Sequence, residues 1–503
     1  MNDKKSILLV HPLGENWVPG ERDMSRIANI MPPLGLCSLA AWVEQHGHRA
    51  TIHDCYAFPK QDRRLVDQVH TTRPDYLGIT ATTSSFLDGV RIARMVKEVH
   101  PAIQVVFGGA HLSAMGERAL VDFPVIDYGV LGEGEQALLA LMESGGDGLA
   151  AIPGLLYREN GAVVSTGFRG KADLIELDTL PFPAYHKLAG FPHAYKLPIF
   201  NYPKAPATTI VSSRGCPYQC TYCDRTVFQR SYRFNSPDYM FAQVEHLHRE
   251  YGVRHINFYD DLFTLHKERV VAFCERMIRS GLRVSFNCAA RAEHVDLELL
   301  RLMKRAGCWM MSLGIETGDP ALLKRHRSNS DVEMIRATVE TIRQAGIRTK
   351  GLFIVGLPGE SEASLDKSIQ YALDLPLDDL NVAKFTPFIG SPAYATVRDF
   401  GTFDERWERM NCTNFVFIPH GFTQERLEER YREFYRRFFE RPHVLLGYVK
   451  MLWRSPNSWV RFIADLGAFL GVRHAYSAPP TRRPRAADRA ALASGSIPPA
   501  GET

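Results

Sequence analysis

Long hydrophobic runs are missing from this chain: no stretch approaches the ~20 apolar residues that a membrane-crossing helix needs, and the chain reads as cytoplasmic. The start, MNDKKSILLVHP, places lysines before an apolar run, but the run ends at His11-Pro12, too soon for a signal core, and reads better as a buried first strand. A strong net charge is missing too. The formal charge is +4 over 503 residues, part of it in Arg482, Arg483, Arg485 and Arg489, so no nucleic-acid partner is expected. Nor is there a disulfide framework, because nine cysteines are few for this length and odd in number. Cys37, Cys55, Cys274, Cys288, Cys308 and Cys412 are scattered and read as small buried hydrophobes. No repeat of solenoid period appears. What is present, 45% hydrophobic and 23% charged residues, is ordinary for a globular protein. At ~100–200 residues per domain, the length argues for about two to four units.

Strand and helix patterns alternate over residues 1–145. Ser6–Val10, Arg49–Ile52, Tyr76–Thr80, Gln104–Phe107 and Ile126–Val130 are candidate strands, and Leu34–Gln45 and Val90–His100 candidate helices. The expected fold is α/β: a Rossmann-like, mostly parallel sheet with ligands at the carboxyl ends of its strands. Residues 146–205 are rich in Gly and Pro and read as a connector with one hairpin at Asn160-Gly161. Alternation resumes over 206–400. Strands are expected at Thr209–Ser212, His255–Tyr259, Val284–Cys288, Met310–Ile315, Lys350–Val355 and Asn381–Thr386, which suggests a full or partial TIM-type barrel. Ser236-Pro237 opens a helix as N-cap and first-turn proline. Residues 401–476 take on helical, aromatic and basic character, and 477–503 read as a disordered tail.

Three cysteines stand apart from the rest. Cys216, Cys220 and Cys223 fall within eight consecutive residues directly after a barrel strand. Thiolates are the usual ligands of iron–sulfur clusters, and three on one loop can hold three corners of a cubane, leaving the fourth iron open. Structural zinc normally closes with four ligands, and no Cys or His in the next twenty residues is an obvious fourth, since His246 and His248 fall in the following helix.

This Cys-x-x-x-Cys-x-aromatic-Cys run resembles the signature of the radical S-adenosylmethionine (SAM) superfamily. Later motifs fall at successive strand ends in the order of that family. The resemblance implies that Tyr222 packs beside the adenine and that Asp260 and Asp261, in FYDDLF, act as catalytic carboxylates near the methionine ammonium and the substrate. It further implies that Arg291 pairs with the methionine carboxylate and that Glu316 bonds the ribose or amino group. GLFIVGLPGE, with Gly356 and Pro358, would be the adenine-binding strand and turn.

In the first 145 residues, Pro32-Pro33-Leu34-Gly35, Gly78-Ile79-Thr80, Gly108-Gly109-Ala110-His111 and Gly132-Glu133-Gly134-Glu135 resemble the cobalamin-binding domain fused to such enzymes. Together the two resemblances span about residues 5–440. Thr82, Thr83 and Ser84 would offer hydroxyls to the nucleotide tail, and Gly108, Gly109, Gly132 and Glu133 would approach the corrin. Asp-x-His-x-x-Gly is absent, so cobalamin is expected base-off, without a protein His on cobalt. The cofactors implied are a [4Fe-4S] cluster, SAM and cobalamin, with an external electron donor of flavodoxin or ferredoxin type. The activity implied is methylation of an unactivated carbon through a 5′-deoxyadenosyl radical; the alternative is oxidation or cyclisation like that of the anaerobic Mg-protoporphyrin ester cyclase. A methylthiotransferase would carry a second cysteine triad in the N-terminal part, where only Cys37 and Cys55 occur. The substrate is expected to be a small molecule or lipid-like. Tyr431–Phe439 and Val444–Leu470 read as a helical cap on the barrel; Trp453, Arg454, Trp459 and Arg461 also fit an interfacial helix, a peripheral membrane contact.

Overall fold

The computed structural model describes residues 4–14, 29–327 and 329–464; the expected tail at 477–503 lies outside them. A seven-stranded sheet comes first. Its strands are β1 (Ser6–His11), β2 (Arg49–Asp54), β3 (Tyr76–Thr80), β4 (Gln104–Gly108), β5 (Tyr128–Val130), β6 (Leu155–Glu159) and β7 (Ala162–Ser165), in spatial order 2-1-3-4-5-6-7. The first five run parallel, and β6 and β7 add on antiparallel. Their core side chains are near-continuous apolar runs such as Ile7–Val10, as expected for strands covered by helices on both faces. The expected connector therefore contributes two strands to this sheet. They meet at Asn160-Gly161, both at positive φ, which suits a tight hairpin turn.

The second sheet has six parallel strands: β8 (Ala207–Ile210), β11 (His255–Phe258), β12 (Ser285–Ala290), β13 (Cys308–Glu316), β14 (Arg348–Val355) and β15 (Asp379–Lys384). They lie in chain order with β8 and β15 at the edges, so the barrel is open. Between β8 and β11 a two-stranded antiparallel ribbon, β9 (Ser213–Arg214) and β10 (Arg233–Phe234), closes the base of the loop that carries the cysteines. Ser236 caps the next helix, Pro237–Tyr251, by accepting from the Tyr239 amide, with Pro237 in the first turn as expected.

After β15 the chain forms a short hairpin, β16 (Gly401–Phe403) with β17 (Phe417–Pro419), before turning helical at Gln424–Phe439, Pro442–Arg454 and Pro456–Ala464. The first lies along the edge strand β15, where the Tyr431 hydroxyl donates to the Val382 carbonyl, and the last two cover the amino end of the barrel. The Tyr448 hydroxyl bonds Asp379, the first residue of β15, at 2.9 Å, and Phe200 packs on Tyr448 and Trp459. No helix among the described residues is long and apolar enough to cross a membrane.

Candidate functional site

Ser212 and Ser213 lead from β8 into the cysteine loop, and one buried carboxylate holds both. Asp260, just beyond β11, accepts from the Ser212 amide and hydroxyl, each at 2.6 Å, and from the Ser213 hydroxyl at 2.8 Å. It also faces the Arg269 guanidinium at 3.5 Å, with both side chains at most 1% exposed. Arg269 in turn bonds the Ser212 carbonyl at 3.0 Å. Asp260, expected to act on substrate, has its oxygens committed to this lattice; it positions the loop. The Asp261 carboxylate meets the same loop further on, beside the Gly215 backbone. It is solvent-accessible at the carboxyl end of the barrel yet crowded by protein on most sides, and that crowding, with repulsion from Asp260, pushes its carboxyl above the usual range. Tyr259 is exposed at the same mouth.

The loop then turns at Gly215, where φ is +86° and an added Cβ would lie 2.1 Å from the Ser231 carbonyl oxygen. Only glycine fits there. Cys216 and Cys223 are half-buried and Cys220 is buried, and all three thiols are unbridged. Burial first, then the Asp261 carboxylate, pushes the Cys223 thiol up to about 12. Arg291, after β12, donates to Cys220 Sγ at 3.6 Å, lies 3.8 Å over the Tyr218 ring and pairs with Glu293 at 2.8 Å. Thr221 is pinned by His326: its amide donates to the His326 carbonyl, its hydroxyl meets Nδ1 at 2.7 Å, and Nε2 reaches the Pro358 carbonyl at 2.8 Å. A carbonyl only accepts, so the neutral ring carries its proton on Nε2 and takes one from Thr221 at Nδ1.

The remaining expected SAM residues gather on the same end of the barrel. Tyr222 packs with Leu322, Leu357 and Phe385, its hydroxyl beside Glu316. Glu316 ends β13 at φ +66°, against Arg327 at 3.2 Å. The Gly356 amide donates to Glu360 Oε2 at 2.5 Å, while buried Glu360 Oε1 has no hydrogen-bond partner. Burial lifts the Glu360 carboxyl to about 8.

At the carboxyl ends of the first sheet lies a cavity of about 260 Å³, closed on its far side by β9 and the cysteine loop. Gly108, Gly109, Gly132 and Glu133 line it. Gly109, at φ +96°, would drive a Cβ to 2.8 Å from the Thr80 hydroxyl. Thr82, Thr83 and Ser84 do not line the cavity. The Thr82 and Ser85 side chains form a reciprocal cap, Thr83 bonds His111 Nδ1 at 3.2 Å, and Trp407 covers His111 with ring centres 4.4 Å apart. Glu133 is bound up by Arg214 and Arg233. Those arginines, with Arg269 and His326, are not legible as functional residues in the sequence. Arg214 and Glu133 are 81 positions apart, and no local pattern links them.

The donor set, three unbridged thiols on one loop, fits a cluster, in which each thiolate takes a different iron. The orphaned Glu360 oxygen suits an amino-group donor, and the glycine-lined cavity suits a flat macrocycle. No histidine is among the described residues that line it.

Residues 210–372 match the model of the radical SAM superfamily, and residues 23–142 that of the B12 binding domain. The chain is 30% identical over 449 residues to an uncharacterised methyltransferase of Pyrococcus horikoshii, covering 88% of this chain and 94% of that one. It is 27% identical to the anaerobic magnesium-protoporphyrin IX monomethyl ester cyclase of Rubrivivax gelatinosus, covering 84% and 75%. In fold it is similar to the radical SAM methyltransferase TsrM of Kitasatospora setae, solved with cobalamin and a [4Fe-4S] cluster, with TM-score 0.64, 19% identity and coverage of 79% and 75%.

Proposed function

The chain belongs to the radical SAM superfamily, in the branch with an N-terminal B12-binding domain, and on that premise we propose that it is a cobalamin-dependent methyltransferase acting on an unactivated carbon. The observation that carries this reading is the shared wall: Arg214, Val227 and Phe228 of the cysteine loop and its stem line the cavity of the first domain, so the two cofactor sites are built against each other. When bound, the cluster supplies the electron that cleaves SAM to the 5′-deoxyadenosyl radical, and the cobalamin carries the methyl group. Cys216, Cys220 and Cys223 hold the cluster. Arg291 is oriented by Glu293 and Tyr218 to take the methionine carboxylate. Tyr222, Glu316 and the turn from Gly356 to Glu360 bracket the nucleoside. Asp261 and Tyr259 are the groups of this end that a small-molecule substrate meets first. An external electron donor of flavodoxin or ferredoxin type reduces the cluster.

Incubation with methyl-deuterated SAM and an extract of cells lacking this protein tests the reading. Label in a product supports methyl transfer; 5′-deoxyadenosine with no labelled product assigns the chain to cyclase-type chemistry instead.

The C-terminal helices support a peripheral contact with an anionic membrane, on the cytoplasmic side. Leu446, Trp453, Val460 and Ile463 are exposed, Trp453 by 77%. Residues 441–464 carry Arg441, Lys450, Arg454 and Arg461 and no carboxylate. Because these helices cover the amino end of the barrel, the contact anchors the enzyme and does not feed the mouth. Full-length protein should float with phosphatidylserine vesicles, and Trp453→Glu should not; equal flotation of the two, or none with the wild type, contradicts the contact.

A further inference from the structure

Arg214 and Arg233 stand directly opposite each other on the ribbon that closes the stem of the cysteine loop. Like charges in that relation repel, so the stem by itself would tend to open. Its counter-charge comes from the first domain. One Glu133 oxygen takes Arg214 Nη1 at 2.5 Å, and the other takes Arg233 Nη2. Glu135 takes Arg214 Nη2 at 2.6 Å and is oriented by the Ser38 hydroxyl at 2.8 Å. All four side chains are between 6% and 19% exposed, so solvent does little to screen them. Glu133, Glu135 and Arg214 also line the cavity. Gly132 tightens the joint: at φ +72° an added Cβ would lie 3.2 Å from the Val227 carbonyl oxygen of the cysteine loop.

We propose that Glu133 and Glu135 are positioning residues that hold the cluster loop closed from the neighbouring domain, and that they couple the occupant of the cavity to the cluster. The inference rests on the cavity taking cobalamin and the loop taking the cluster. A ligand that bears on Glu133 necessarily changes the balance of charge at the loop stem. By linkage, cluster loading changes corrin affinity by the same factor. Glu133 is thus a load-sharing residue of the stem, in addition to any contact it makes with the corrin.

The test uses the full chain, reconstituted anaerobically with iron and sulfide, with and without hydroxocobalamin. The readouts are the rate at which a chelator strips the iron and the EPR signal of the reduced cluster. In the wild type, hydroxocobalamin is expected to slow stripping and shift the EPR signal. Glu133→Gln is expected to lose iron at least about fivefold faster and to stop responding to hydroxocobalamin. Adding Arg233→Gln to that variant removes one of the two facing charges and should restore slow stripping, whereas adding Arg233→Lys, which keeps the charge, should not. Stripping of Glu133→Gln within about twofold of wild type, or a Glu133→Gln/Arg233→Gln variant as labile as the single one, overturns the proposal. Failure of the underlying reading looks different: a wild-type chain that takes up no cluster or no corrin at all.

Discussion

Asp260 and Asp261 are neighbours in one motif, and their surroundings give them different work. Asp260 is 4% exposed and accepts from two serines beside Arg269. Asp260→Asn leaves the buried guanidinium without its carboxylate, a change that costs about 3–5 kcal/mol when one partner of a buried pair is removed. It should lower Tm and iron content together. Asp261→Asn should keep Tm and iron and lose product formation, measured side by side with Asp260→Asn; the reverse pattern would reassign the two roles. Glu360 gives a pH prediction. Its carboxyl is raised to about 8 by burial, from an ordinary 4.5, so between those values the folded chain holds a proton that the unfolded chain has lost. Stability from this group therefore falls as pH rises from 4.5 towards 8. The full shift corresponds to a loss on the order of 5 kcal/mol. Thermal melts from weakly acidic to weakly alkaline buffer should show a declining wild type and a flatter Glu360→Gln, the gap between them widening in favour of the variant as pH rises.

Among the elements, the cysteine loop depends most on single backbone positions. Gly215→Ala places a methyl against the Ser231 carbonyl in a left-handed backbone, a conflict the stem can relieve only by opening. Iron uptake should fall sharply while the far-UV circular dichroism of the protein stays near wild type. Retained iron would show that the turn is not needed. The barrel strands were legible from short apolar runs bounded by turns: every expected strand overlaps an observed one, with boundaries off by about two residues. The pairing of β6 and β7 onto the first sheet was not, because the Gly- and Pro-rich stretch around the Asn160-Gly161 turn hides which sheet edge receives the hairpin. Nor was the hairpin of Gly401–Phe403 with Phe417–Pro419, whose strands are too short to show a period.

For the whole molecule, local motifs pick out residues that the fold gathers at one end of the barrel, and not the connections between them. The cysteines, Arg291, Glu316 and the Gly356 turn were legible because each sits beside its own strand end. The burial of the Thr83 and Ser84 side chains has no local signal, since Thr83 meets His111, and Trp407, distant in the sequence, covers that ring. The charged joint between the domains was invisible for the same reason: its four members come from two domains and meet only in the fold. The resulting claim is of one enzyme in which a three-cysteine cluster and a corrin share a wall. The most direct measurement is the composition of the chain purified anaerobically from cobalamin-supplied cells. About four irons and one corrin bound per chain are expected, with 5′-deoxyadenosine formed on reduction with SAM, and loss of the iron and of that product in Cys220→Ala with the corrin retained. A wild-type chain that holds iron but no corrin, or whose iron and 5′-deoxyadenosine survive Cys220→Ala, would contradict it.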